Sequence, residues 1–357
     1  MAFASWPQVL NHLVNDKQLS PEHAVWAMEQ MMSGDATPAQ IAAFVVALRA
    51  KGETASDIAA LVDVMLQHAI AAEVPGVTVD TCGTGGDGAH TVNISTMAAV
   101  VVAATGVTVV KHGNRAASSK CGSADVLEEL GVRLDLPASL VSTVAMRAGI
   151  TFYFAQAFHP ALRHVGPARR EIGIPTVFNV LGPLANPARP TAQVVGVADA
   201  RLAPVIADVL RLRGTKALVV RGDEGLDELS THTTSTVWNV LGADVKRETF
   251  DPASIGIAAP PADALTGGDA KFNAEIVSDL FAGLSTPKLD AVSDAVCLNA
   301  AAALTSVDAV TSEVLSLQTS LAHNFEKARA AIASGHAQRI LQRWVEETQS
   351  ISRNESQ

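Results

Sequence analysis

The chain has 357 residues, enough for one large or two ordinary domains around a sizeable core. Alanine supplies much of a 48% hydrophobic content in which aromatics are only 4%, which suits close-packed helices on a sheet and argues against an all-β sandwich. A net charge of −10 argues against non-specific nucleic-acid binding through bulk charge, although Lys111, His112, Arg115 and Lys120 gather in one loop. The three cysteines, Cys82, Cys121 and Cys297, show no metal-ligand spacing and cannot all pair, as expected in a reducing cytosol. With no charged leader preceding an apolar core and no long uncharged apolar run, a cytoplasmic protein without a membrane partner is expected.

Residues 1–72 carry only helical signals. Trp6-Pro7 starts one helix, and Ser20-Pro21-Glu22 reads as an N-cap followed by Pro at the first helical position, with a stop at Gly34. Thr37-Pro38-Ala39-Gln40 repeats the device as a capping box, and that helix ends near Gly52. Thr54 to Ala72 gives the next helix. From Val77 strands and helices alternate, the sign of a largely parallel sheet. Helix is expected over Pro137 to Gly149 and strand over Ile150 to Phe154. The segment Pro167 to Pro190, with its Gly-Pro and Asn-Pro breaks, interrupts the alternation and is where the chain would cross back to the helical unit. Strands resume at Gln193 to Val197 and Ala217 to Val220, and Thr234 to Phe250 reads as two strands with a turn at Leu241 to Asp244. Asp269 to Trp344 is helical, broken by Pro287 and Gly335, and the polar tail from residue 347 is expected to fray.

Two glycine-rich loops dominate the chemistry. Gly83-Thr84-Gly85-Gly86-Asp87 follows the strand at Val77 to Asp80 and precedes the helix from Thr96 to Thr105. Gly113 to Gly122 follows Val107 to Val110 and precedes Ala124 to Leu130, with Ser123 as the expected N-cap. Glycines let a backbone turn sharply and approach a ligand, and a helix N-terminus favours an anion. Two such loops in succession suggest a cradle for a molecule with more than one phosphate. For either loop alone, a tight turn with a capping residue serves as well. Lys111 offers a point charge to phosphate, although a lysine at a strand end is more often simply solvated. Two acidic doublets, Asp223-Glu224 and Asp227-Glu228, follow the strand ending at Val220; either can hold a hard divalent cation, and either can be a solvated turn. Cys82 and Cys121 read as small space-fillers.

Gly83-Thr84-Gly85-Gly86-Asp87, Asn93-Ile94-Ser95-Thr96, Lys111-His112-Gly113-Asn114-Arg115 and Gly122-Ser123-Ala124-Asp125 resemble the anthranilate phosphoribosyltransferase family. The likeness continues through His159-Pro160-Ala161, Arg169-Arg170-Glu171, Phe178-Asn179, Gly182-Pro183-Leu184, Asn186-Pro187 and Gly225-Leu226-Asp227-Glu228, covering almost the whole chain in order. One departure is Pro175-Thr176, where the family often has Arg-Thr.

The resemblance implies an α/β fold with a small all-helical domain (residues 1–72 plus about 165–188) and a larger α/β domain (73–164 and 189–346) with a central, mostly parallel sheet. It implies transfer of phosphoribosyl from phosphoribosyl pyrophosphate to the amine of anthranilate, a step of tryptophan biosynthesis, in a homodimer with two Mg²⁺ per subunit. Donor binding falls on Gly83, Gly85, Gly86, Asp87, Thr91, Asn93, Ser95, Thr96, Lys111, Asn114, Ser118, Ser119, Gly122 and Ser123. Anthranilate falls on Gly83, His112, Asn114 and Arg169, and the metal on Ser95, Asp227 and Glu228. No general base is assigned, Lys111 and His112 being the candidates for a positioning or electrostatic role; Arg115, Ser119 and Lys120 belong to a loop that can close over the donor. The rivals are a pyrimidine nucleoside phosphorylase and a silent nucleic-acid-binding relative. The Lys111 to Arg115 run and Asp227-Glu228 argue against the first, and the acidic balance against the second.

Overall fold

The computed structural model describes residues 5–15, 18–116, 120–261, 263–312 and 315–355. Four helices open it: α1 (Trp6–Val14), α2 (Pro21–Ser33), α3 (Pro38–Lys51) and α4 (Ala55–Gln67). The caps are as the sequence specifies. Ser20 Oγ accepts from His23 N, Thr37 and Gln40 cap each other, and Thr54 and Asp57 do the same. Gly34 ends α2 at φ 83°, in the left-handed region where glycine carries no Cβ penalty. The fourth helix stops at Gln67, five residues short of the expected Ala72.

The rest of the chain is β1 (Thr78–Gly83), α5 (Ile94–Ala104), β2 (Thr108–Gly113), α6 (Ser123–Glu129), α7 (Ala138–Ala148), β3 (Ile150–Phe154), α8 (Ala155–Phe158), α9 (Gly166–Ile172), α10 (Val177–Leu184), β4 (Ala192–Gly196), α11 (Ala203–Leu212), β5 (Lys216–Gly222), β6 (Ser235–Val240), β7 (Lys246–Phe250), α12 (Ala270–Phe281), α13 (Pro287–Thr311), α14 (Leu317–Ala333) and α15 (His336–Glu355). The strands form one sheet in the order β3-β2-β1-β4-β5-β6-β7. The first five are parallel, and β6 and β7 are antiparallel additions. The interrupted stretch is α9 and α10, which pack on α3 and α4 and so join the helical bundle.

Two apolar clusters sandwich the sheet. One holds α5 and α13, where the run Ala300 to Ala303 is completely buried. Small side chains let that helix lie close to β1, β4 and β5, which is why an alanine-rich composition makes a tight core here. The other cluster joins the bundle residues Phe44, Leu48, Ile58 and Leu61 to α11 and to Val195 and Val219 of the sheet. Among the described residues, no helix is long and apolar enough to cross a membrane.

Two expectations need correction. Ser123 is the first residue of α6, not its cap; the cap is Gly122, whose N–H donates to Asp125 Oδ2 at 2.8 Å. The tail beyond Glu346 is not frayed at its start: α15 runs on, and it buries Thr348 and Ile351. Thr348 Oγ1 accepts from Arg133 N, which anchors the helix to the α/β layer. Thr54→Ala removes one reciprocal cap and is expected to cost about 1 kcal/mol, read as a lower urea midpoint at unchanged circular dichroism.

Candidate active site

The strand order reverses between β1 and β4, so a crevice opens beyond their carboxyl ends, where open α/β sheets place ligands. Two glycines sit opposite each other there, Gly83 on β1 and Gly196 on β4. Both are needed for close approach. A Cβ on Gly83 would collide with Asp227 Oδ2, and one on Gly196 with the Asp227 carbonyl oxygen. Thr84 N donates to Gly196 O at 2.9 Å, and Ala198 N to Thr84 Oγ1 at 3.2 Å, which ties the two strand ends together.

Gly85 and Gly86 carry the first loop through left-handed φ values of 66° and 83°. Gly85 N donates to Asp227 Oδ2 at 2.7 Å, and Asp87 Oδ1 accepts from Ala89 N. Thr91 pairs with Thr266, bracing the far end of the loop against the segment before α12. Asn93 is committed to structure: its Nδ2 donates to Cys121 O and its Oδ1 accepts from Asn273 Nδ2. Its side chain holds the two glycine-rich loops together, with one of its two amide N–H donors committed to Cys121 O. Ser95 and Thr96 lie in the first turn of α5, and the Thr96 hydroxyl is buried without a partner among the described residues.

Beneath the loops is a buried charge cluster. Lys111 is 1% exposed, with Nζ donating to Thr81 O and, at 3.3 Å, to Ser95 Oγ. It is not the solvated strand-end lysine its position suggested; it positions Ser95 from below. Asp80, fully buried beside it on β1, accepts from His112 N and from Asn186 Nδ2 at 2.9 Å. Burial pushes its carboxyl up to about 6, with Lys111 pulling the other way. Burial lowers Lys111 itself, against the opposing pull of Asp80. His112 Nδ1 lies 3.1 Å from Gly182 O. A carbonyl only accepts, so Nδ1 carries the proton and Nε2 keeps its lone pair. Nε2 is buried without a partner among the described residues. Burial, then the neighbouring His159 ring, hold His112 down at about 3, so it is neutral at physiological pH.

Geometry separates the two acidic doublets. Asp223 accepts from the hydroxyls of Thr234 and Thr236, and Glu224 from those of Ser230 and Thr233, so both are satisfied within their own turn. Asp227 instead lies over the glycine pair. Burial first, then the Asp87 carboxylate, push Asp227 up, and burial followed by Asp227 raises Glu228. Asn299 of α13 fixes the turn, taking Leu229 N on its Oδ1 and donating Nδ2 to Leu229 O.

In the second loop, Gly122 comes so close to Ala116 N that a Cβ would collide with it. Asp125 closes this loop by accepting from Ala116 N and Gly122 N. Arg115 is held by Asp125 and Glu128. Asn114 is exposed, and its Oδ1 accepts from Arg115 N. Ser118 and Ser119 lie outside the described residues. On the bundle side, Arg169 is half-buried with its guanidinium 5.2 Å from the Phe178 ring centroid, and no carboxylate pairs with it among the described residues. Sequence reasoning missed Gly196, Asn299 and Asn186 as site-builders, and it left aside His159, whose ring lies 5.3 Å from that of His112. Asn186 and His159 stand inside quoted motifs, whereas nothing in the sequence marks Asn299.

A helical bundle beside a mostly parallel sheet, with glycine loops and acids at its switch point, defines a glycosyl transferase. Residues 7–69 match the helical bundle domain of the glycosyl transferase family and residues 75–338 its a/b domain. The chain is 56% identical to the anthranilate phosphoribosyltransferase of Acidothermus cellulolyticus over 348 residues, covering 97% of this chain and 96% of that one. It is 54% identical to the Streptomyces griseus enzyme of the same name over 345 residues, with 97% and 96% covered. Among solved structures, anthranilate phosphoribosyltransferase from Thermus thermophilus superposes with a TM-score of 0.87 at 38% identity, covering 96% of this chain and 99% of that one. The Saccharomyces cerevisiae enzyme in complex with PRPP and Mg gives 0.86 at 28% identity, with 97% and 98% covered. This chain belongs to the anthranilate phosphoribosyltransferase family, and it transfers phosphoribosyl from phosphoribosyl pyrophosphate to anthranilate.

Gly196→Ala is expected to lift Asp227 off the strand ends and abolish most activity while circular dichroism stays native. Retention of more than about a tenth of the activity would mean that the turn relaxes around the methyl group.

Proposed function

We propose that the crevice divides the transfer between the two glycine loops, the acidic turn and the bundle. The observation that carries this is Asp227 lying over Gly83 and Gly196, bound by Gly85 N–H, with the α5 N-terminus alongside. The amine nitrogen bonds to the anomeric carbon, and the carbon–oxygen bond to pyrophosphate breaks, the oxygen keeping the electron pair. The amine then loses its proton to water or to the released pyrophosphate. The backbone N–H groups of Gly86 and Asp87 and the Thr96 hydroxyl, beside the α5 N-terminus, receive the leaving oxygens. The 5′-phosphate side falls to the second loop, with Asn114, Gly122 and Ser123. Lys111 holds Ser95 and adds positive potential from beneath. His112, neutral by burial, offers Nε2 as an acceptor for the amine N–H, and the unpaired Arg169 fork receives the carboxylate.

The residues fit a divalent cation. Asp87, Asp227 and Glu228 are crowded carboxylates: burial and then Asp87 push Asp227 up, and burial and then Asp227 push Glu228 up. Among the described residues no three His, Cys, Asp or Glu side chains could hold a metal by themselves, so the remaining ligands would come from pyrophosphate and water. Mg²⁺ bound by Asp227, Glu228 and Ser95 would neutralise the departing pyrophosphate. We read two ions per subunit from the family resemblance. We read a homodimer formed through the bundle from the family resemblance, and a cytoplasmic location from the composition of the chain.

The testing experiment follows anthranilate fluorescence with phosphoribosyl pyrophosphate, with Mg²⁺ and again with EDTA. Loss of signal only with Mg²⁺ is expected, and no loss would remove the reading. Arg169→Ala is expected to raise the anthranilate KM at least about tenfold with the donor KM little changed; equal effects would remove its assignment.

The site carboxyls have a fixed sign. Raised in the fold, they bind more protons in the native than in the unfolded state. Their contribution to the stability of the metal-free protein is therefore lost as pH rises from the ordinary carboxylate range through about 6 for Asp80, and further as Asp227 and Glu228 ionise, whereas the contribution of the lowered His112 is lost as pH falls towards about 3. A cation needs the ionised forms, so the Tm gain from Mg²⁺ with pyrophosphate should be larger near about pH 8 than near about pH 5.5. An equal gain at both would place the cation elsewhere.

A further inference from the structure

An open groove of about 540 Å³ lies outside the crevice, between the first turn of α11 and the sheet face formed by β5, β6 and β7. Register explains its lining. Arg221 on β5 faces Thr236 on β6, and two residues along, Trp238 on β6 faces Arg247 on β7. Alternation puts all four side chains on one face. Trp238 is 8% exposed and gives the groove an apolar wall, with the Arg247 guanidinium 5.9 Å from its ring centroid.

The charges around this wall do not balance. Arg221 uses Nε on Ala198 O and Nη1 on Gly222 O, two of the five N–H donors a guanidinium carries. Among the described residues neither Arg221 nor Arg247 has an ion-pair partner. The carboxylate in the lining, Asp223, already accepts two threonine hydroxyls. Pro204 brings in the first turn of α11, a ten-residue helix with no side-chain cap, so its N-terminal dipole adds to the positive field. An arginine that merely covered a tryptophan would close the space over it. Here the space stays open and is the size of a small-ligand pocket.

We propose that this groove binds a small organic anion with a planar apolar body. Its oxyanion lies between Arg221 and Arg247, and its apolar body lies against the exposed part of Trp238. Guanidinium forks match carboxylate geometry with paired N–H bonds, and an indole face favours a flat partner. The site is linked to the crevice by covalent neighbours. Arg221 holds Ala198 O, and Ala198 N binds Thr84; Arg221 also holds Gly222 O, at the start of the turn bearing Asp227. An anion that draws Arg221 outward pulls on both segments.

The test is calorimetric titration of the full chain with 2-naphthoate, on an Arg169→Ala background so that the acceptor position does not contribute. Heat, not turnover, is read, so the result stands apart from that of the activity assay. Binding is expected to persist in Arg169→Ala and to weaken at least about tenfold when Arg247→Glu is added, because Arg247 is exposed and its reversal leaves the fold intact. Trp238→Leu should weaken it as well, and 2-naphthol, lacking the carboxylate, should bind at least about tenfold more weakly. Absence of binding, indifference to Arg247→Glu, or 2-naphthol binding as tightly as 2-naphthoate would each overturn the proposal.

Discussion

The site is organised by an electrostatic imbalance. Asp80, Asp87, Asp227 and Glu228 crowd the carboxyl ends of β1 and β5 around one buried ammonium, that of Lys111. In a low-dielectric setting each unpaired charge is costly, which is why three of these carboxyls are pushed up and the lysine is pulled down. The same dryness keeps His112 neutral and leaves its Nε2 available as an acceptor. In the function proposed for this site, a polyanionic donor enters the acidic crevice together with a cation, which couples the two through charge rather than through shape.

Packing makes that crowding possible. The acidic turn can lie directly on the sheet because Gly83 and Gly196 present no side chains at the same register. From the other side, Asn299 clamps Leu229, and it can do so because α13 approaches the sheet on alanines. The two halves of the core thus serve the chain differently: the alanine helix sets the height of the acids, and the bundle holds Arg169 against Phe178.

Much of this was legible in sequence where the cause is local. Ser20, Thr37 and Thr54 announce their helices because capping is decided within four residues, and the glycine loops announce sharp turns for the same reason. One boundary was missed at Ser123 because the cap comes from Asp125 reaching back, a choice between two polar residues that only geometry settles. The two acidic doublets were indistinguishable in composition; the difference is that the hydroxyls of Thr234 and Thr236 satisfy Asp223 while Gly85 reaches Asp227. Asn299 acts across 70 residues, and the depth of Lys111 depends on what α5 lays over it, so neither is visible to periodicity. The polar tail looked unstructured because its buried side, Thr348 and Ile351, is a narrow stripe on a charged helix.

The antiparallel turn from β5 into β6 has a wider meaning. A parallel neighbour would have required a crossover helix, and the chain leaving β5 would have been committed to starting it. Because β6 runs back alongside β5, the twelve residues from Asp223 to Thr234 owe nothing to a helix and can fold over the strand ends. The reversal of one strand thereby frees a loop of adjustable length over the glycine pair at the strand ends. Lengthening or shortening that loop would shift the carboxylates against a fixed sheet, a route by which one scaffold can be retuned for leaving groups of different size.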